Sequence, residues 1–273
     1  MIRALLVCAT FALAACGPDV VHDGGRAANR HPTIASLNPC GDAILAEIAP
    51  PDQLLALSHY SRNPAASSMD TARALDFGVT GGTVEEVLAL DPDIVVASSF
   101  MAPATRNALG DLGIAVETIG IASSSADSIA QIRQLAKAAG REQEGEALVS
   151  RIERALSESA APTGAARMSA VLWQPGGIVP GEGALVTALM EHTGLASHSA
   201  ARGLRQADYL SLERLLADPP DLLLVAGNER GQQHPALGAV PDMQTEAFDP
   251  ALLWCGGPSI VGAAERLAEV RAQ

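Results

Sequence analysis

Val84-Glu85-Glu86-Val87-Leu88-Ala89-Leu90-Asp91-Pro92-Asp93-Ile94-Val95-Val96-Ala97 returns about 128 residues later as Leu212-Glu213-Arg214-Leu215-Leu216-Ala217-Asp218-Pro219-Pro220-Asp221-Leu222-Leu223-Leu224-Val225. Each copy reads as a short helix, a proline-containing turn and a continuous apolar run. Such a run is the pattern of a strand buried on both faces of a parallel sheet. Thr83 and Ser211 precede the two copies as N-caps, and Glu86 completes a capping box with Thr83. Glu85 and Glu213 then fall at the same second helical position, where the helix dipole favours a carboxylate. The repeat divides the chain into two similar α/β halves.

Outward from the first copy, residues 33–37, 54–58, 93–97 and 114–118 read as strands. Residues 42–48, 83–90 and 103–112 read as helices. Together they make an N-terminal lobe over residues 33–125. No strand pattern occurs across 126–162. Two amphipathic stretches, 126–139 and 141–159, are interrupted by Gly140, and Ala160-Ala161-Pro162-Thr163-Gly164 ends the segment. A C-terminal lobe follows over 163–273, with strands at 168–173 and 221–225 and helices at 183–192, 212–217 and 259–272. Ile260, Ala263, Ala264, Leu267 and Val270 share one face of the last helix. The fold class expected is α/β, two Rossmann-like lobes joined by one long α-helix.

The chain has 273 residues, enough for two lobes of ordinary size. Hydrophobic residues make up 48% and charged residues 18%, which excludes disorder. A net charge of −13 excludes nucleic acid, whose phosphates need a basic face. At the start, Arg3 precedes an apolar run too short to span a bilayer but suited to a signal-peptide core. That run ends in Leu13-Ala14-Ala15-Cys16, which resembles the bacterial lipobox. Residues 1–16 are therefore expected to be a lipoprotein signal peptide with Cys16 lipidated, and residues 17–32 a flexible tether holding an exported protein to a membrane. In an oxidising compartment Cys40 and Cys255 are either disulfide-bonded or a free pair that could touch ligand.

Further motifs support a family resemblance. Ser36-Leu37-Asn38-Pro39, Ser58-His59-Tyr60-Ser61-Arg62-Asn63-Pro64, the two Glu-bearing segments and Gly257-Pro258-Ser259 occur in the order and spacing of the periplasmic binding proteins for vitamin B12, siderophores and haem. The resemblance covers nearly all of the chain from Pro32 onward. It implies a periplasmic, lipid-anchored substrate-binding component of an ABC importer that captures a cobalamin-like corrinoid or a ferric chelate (siderophore or haem). It further implies that Glu85 and Glu213 dock onto basic pockets of the permease.

The ligand would lie between the lobes at the C-terminal ends of strands. Those ends place Asn38, Cys40, His59, Tyr60, Ser98, Ser99, Phe100, Trp173, Trp254 and Cys255 as ligand-binding candidates. Aromatic residues are only 3% of the chain, so each Trp and Tyr is a possible contact. His59 stands alone and reads as a hydrogen-bonding residue. The other histidines have no spacing that would cage a metal, so neither a metal site nor a cofactor is expected. Arg62, Arg202 and Arg205 are the only candidate cations for a strongly anionic chelate, which leans the ligand toward a neutral or weakly charged one such as a corrinoid. Gly181-Glu182-Gly183 lacks the third glycine of a phosphate-binding turn, and no hydrolase or zincin motif occurs, so no enzyme is expected. The alternative is an exported enzyme or chelate-handling protein on the same two-lobe scaffold.

Overall fold

In a computed structural model the described residues are 31–273. The expected signal peptide, its Cys16 and nearly all of the expected tether lie outside them. The first lobe begins with β1 (Ile34–Ser36), α1 (Pro39–Ile48) and β2 (Leu54–Ser58), and continues through α2 (Thr71–Ala74) and β3 (Gly78–Thr80). The first copy of the repeat forms α3 (Val84–Leu90) and β4 (Ile94–Ser98), followed by α4 (Pro103–Asp111) and β5 (Ala115–Ile119). All five strands are parallel, in the order β3-β2-β1-β4-β5.

In place of one helix across 126–162 there are two, α5 (Ser125–Ala139) and α6 (Glu142–Ser159). Gly140 ends α5 in the left-handed region at φ 63°, which a glycine adopts without a Cβ clash. The helices pack at the resulting corner: Arg133 pairs with Glu146 at 2.6 Å, and Gly145 lies directly against Ala136. Helix α5 packs on α1 and β5 of the first lobe and on the helix Leu185–His192 of the second, and α6 packs chiefly on the helix Ser259–Arg271 of the second.

The second lobe comprises β6 (Met168–Trp173), β7 (Ile178–Val179), α7 (Leu185–His192), β8 (Leu195–Ser197), α8 (His198–Ala201) and β9 (Asp208–Tyr209). The second copy of the repeat forms α9 (Leu212–Ala217) and β10 (Leu222–Val225), and β11 (Gln244–Ala247) and α10 (Ser259–Arg271) complete the lobe. Its main sheet is again parallel, in the order β11-β10-β6-β8, and β7 and β9 form a small antiparallel pair.

The repeat holds down to single hydrogen bonds. Thr83 caps α3 through Glu86 N–H, and Ser211 caps α9 through Arg214 N–H. Val87 and Leu215, at matching positions, are both fully buried. The aspartate before each apolar strand reaches the neighbouring strand's start: Asp93 accepts from Thr33 N–H and Asp221 from Ser169 N–H, both at 2.8 Å. Strands β4 and β10 thus sit beside β1 and β6 in corresponding registers.

One apolar cluster runs through both lobes. It includes Ile44 of α1, Ile132 and Leu135 of α5, Ile152 of α6, Leu172 of β6, Met190 of α7 and Leu267 of α10. Helix α6 packs on α1 and α10, so the connector is part of the shared core. A Cβ at Gly145 would overlap Ala136, and overpacking of this kind costs about 1–3 kcal/mol. Gly145→Val should therefore lower the urea midpoint. Gly110→Ala, on α4 with open space around it, should instead gain about 0.5 kcal/mol.

Candidate functional site: the interlobe cleft

Parallel sheets expose ligand-binding crevices at the carboxyl ends of their strands, where crossovers diverge to either side. Here both sheets turn those ends toward one cleft. Its larger cavity, of about 720 Å³, is walled on one side by Pro64, Ala65 and Met69–Thr71, which follow β2. Facing them are Gln174, Pro175 and Ile178 after β6, Ala226–Asn228 after β10, and Asp249–Ala251 after β11. A second cavity, of about 370 Å³, shares Gln174 and Trp254 with the first. Asn38, Cys40, Ser98, Phe100 and Ile121 wall it from the first lobe, and Leu185, Cys255 and Gly256 from the second.

Trp254 therefore stands between the two cavities, 47% exposed, and Phe100 projects from the end of β4 at 76% exposed. Exposed aromatic faces of this size in a concave apolar wall are suited to a flat or bulky apolar ligand.

Of the ten ligand-binding candidates, Asn38, Cys40, Ser98, Phe100, Trp254 and Cys255 line the cleft. Asn38 is also the N-cap of α1, its side chain accepting from Cys40 and Gly41 N–H. Trp173 does not face the cleft. It is buried among Val171, Leu215 and Leu223, and its indole N–H donates to Leu210 O at 2.9 Å. Because side chains alternate along a strand, the last residue of β6 points into its own lobe. Ser99, His59 and Tyr60 are in neither cavity wall; the two rings stack on each other with centroids 4.1 Å apart. Of the three candidate arginines, Arg62 donates to Phe77 O at 2.9 Å, Arg202 pairs with Asp218, and Arg205 lies outside both cavity walls.

Beneath the His59–Tyr60 turn lies Asp42, fully buried in the first turns of α1. Ser58 N–H and the Ser61 hydroxyl donate to its Oδ2 at 2.9 and 2.6 Å, which fixes the turn, while Oδ1 is left without a partner. Loss of hydration outweighs the donors around it and pushes the carboxyl up to about 8 from an ordinary value of 3.8.

Cys40 and Cys255 are bonded as a disulfide, with Cα atoms 5.2 Å apart, joining the start of α1 to the loop before α10. The alternatives of free thiols or thiol–ligand contact are thereby replaced by a covalent tie between lobes. Beside it, Cys255 N–H donates to Ser68 Oγ and Gly257 N–H to the buried Ser128 Oγ at 2.6 Å. Gly257 has φ 71°, and a Cβ there would come to 2.8 Å from Ile44. Glycine is required at that position.

Comparison with known proteins agrees with this geometry. A periplasmic binding protein family model matches residues 34–248. The chain belongs to the periplasmic binding protein family. Among solved structures, the periplasmic haem-binding protein HutB of Vibrio cholerae has 19% identity, a TM-score of 0.73, and coverage of 89% of this chain and 100% of its own. The haem-binding protein RhuT of Roseiflexus sp. RS-1 in apo form has 19% identity, a TM-score of 0.67 and the same coverage. The vitamin B12-binding protein BtuF of Vibrio cholerae has 18% identity, a TM-score of 0.67, and coverage of 88% and 96%. At these identities the likeness is one of fold. Among curated proteins no sequence relative was found. As a family of the periplasm its members work outside the cytoplasm, and no described helix is long and apolar enough to cross a membrane.

Two outcomes follow from this site. Replacing both cysteines of the binding protein with serine should lower its unfolding free energy by about 2–5 kcal/mol in urea, because the bond closes a very long loop. Unchanged stability would show that the tie contributes nothing. For Asp42, the folded state keeps a proton that the unfolded chain releases near pH 4, so stability declines as pH rises from about 4 to about 8. Asp42→Asn should flatten that slope and be the more stable form at pH 8, by roughly 5 kcal/mol if the full linkage is expressed, read from urea curves at pH 5 and pH 8.

Proposed function

We propose that this chain is the substrate-binding component of an ABC importer, capturing a cobalamin-like corrinoid or a ferric chelate and passing it to the membrane permease. The observation that carries the reading is the cleft itself, walled from both lobes by strand-end loops and large enough for a chelate. Neighbours of the same fold bind haem or vitamin B12, which supports a chelate as cargo. No bond is made or broken in this mechanism. Ligand enters between the lobes, meets the Trp254 and Phe100 faces, and is carried to the permease in a protein tethered to the membrane through lipidated Cys16.

Docking falls to Glu85 and Glu213. Both are exposed, each at the second position of its helix, α3 and α9. Glu213's own backbone N–H and the Ser211 hydroxyl hold its carboxyl below the ordinary range, so it stays charged at neutral and mildly acidic pH. A carboxylate on each of two repeated helices offers a basic partner two fixed points, and such charge pairs set register and encounter rate. Replacing both with arginine should leave chelate affinity of the purified protein unchanged and abolish chelate uptake by cells. Uptake at the normal rate in the double variant would remove the docking role.

A further inference from the structure

The walls of the cleft carry an unusual balance of charge. Among the described residues lining both cavities the ionisable side chains are Asp70 and Asp249, with no arginine, lysine or histidine. Asp70 comes from the first lobe, ahead of α2, and Asp249 from the second, after β11. Each is held in place through Oδ1, which accepts from Ala72 N–H at 2.8 Å and from Ala251 N–H at 2.9 Å. The other polar side chains of the two walls are the amides of Asn38, Gln131, Gln174, Gln206 and Asn228 and the hydroxyls of Thr71 and Ser98, all uncharged. Of the arginines beside wall residues in sequence, Arg62 donates to Phe77 O and Arg73 to Asp76 and Ala46 O, while Arg205 and Arg230, beside Gln206 and Asn228, lie outside both walls.

Two consequences for a ligand follow. An anionic group entering this space would leave its hydration shell and find no cation, while two carboxylates repel it. A group bearing positive charge would meet one carboxylate from each lobe, and the chain's net charge of −13 draws it in from a distance. The walls also hold no imidazole, phenol or free thiol, since both cysteines are tied in the disulfide. The wall side chains that could reach a metal are the two carboxylates themselves and the Met69 thioether. Nor do the described residues hold any cluster of three or more donors for a bare ion.

We infer that the cleft selects chelates carrying positive charge and rejects anionic ones, with Asp70 and Asp249 as the specificity-determining residues, one from each lobe. This rests on the chelate-capture reading above and narrows it.

Ferrioxamine B supplies a matched probe: a ferric trihydroxamate with a protonated amine, whose N-acetylated form has the same iron site and no such charge. Calorimetric titration at low salt should find ferrioxamine B bound about fivefold more tightly than the acetylated form, the size expected of exposed charge pairs. Haemin, with two propionates, should be the weakest of the three. The preference should shrink as salt is raised. Asp70→Asn with Asp249→Asn keeps both caps, because asparagine is an equally good N-cap, and should bind the matched pair equally. Equal binding of the pair by the unmodified protein would overturn the inference and leave chelate capture standing. So would a preference that survives in the double variant, or tighter binding of haemin. If none of the three binds, the charge selection falls, and a parallel titration with cobalamin decides whether chelate capture falls with it.

Discussion

The Cys255-Gly256-Gly257 corner seated against the first lobe is the constraint on which the arrangement rests. The disulfide to Cys40, the two hydrogen bonds to Ser68 and Ser128, and the close approach of Gly257 to Ile44 all act within three residues. The same segment, with Leu253 and Trp254 ahead of it, walls the ligand cleft. The tie between lobes and the floor of the binding site are therefore one piece of chain. Any movement that widened the cleft at this end would have to break or bend it.

Helix α6 constrains the lobes as well. It carries the core from α1 to α10, and Leu148, Val149 and Ile152 lie inside a single apolar cluster drawn from both sheets. Packed interfaces of this kind permit small shear rather than wide hinge opening. A cleft with covalent and apolar restraints is close to its bound shape before ligand arrives. Preorganisation of that sort lowers the ordering cost of binding. It also keeps α3 and α9 at a constant relation, which a two-point docking scheme needs.

Much of the fold was legible in the sequence because its central strands are buried on both faces. Residues 54–58 and 168–173 read as strands with the observed boundaries, and the duplicated helix–turn–strand was recovered with its caps. Edge strand β5 was legible to within one residue, but β3, β8 and β11 were not: they are three or four residues of ladder with short or polar sequences such as Gln244-Thr245-Glu246-Ala247. The connector was read as one helix because Gly140 within an amphipathic stretch can be tolerated; its left-handed conformation shows in the backbone alone. At the site, strand- and loop-end position leads to Trp254 and Phe100, which line the cavity walls, whereas the same rule applied to Trp173 overlooks the alternation that turns it inward. Pro64–Thr71, Ala226–Asn228 and Asp249–Ala251 were missed as walls, since loops brought together only by the pairing of two lobes leave no local pattern. Their one signal was placement just after apolar strands.

A crystal structure of the protein loaded with a metal chelate tests the account most directly. The account predicts the chelate between the lobes against Trp254, with the disulfide intact and Gly257 still packed on Ile44. A chelate bound on another surface, or a corner withdrawn from its seat with the lobes swung apart, would contradict it.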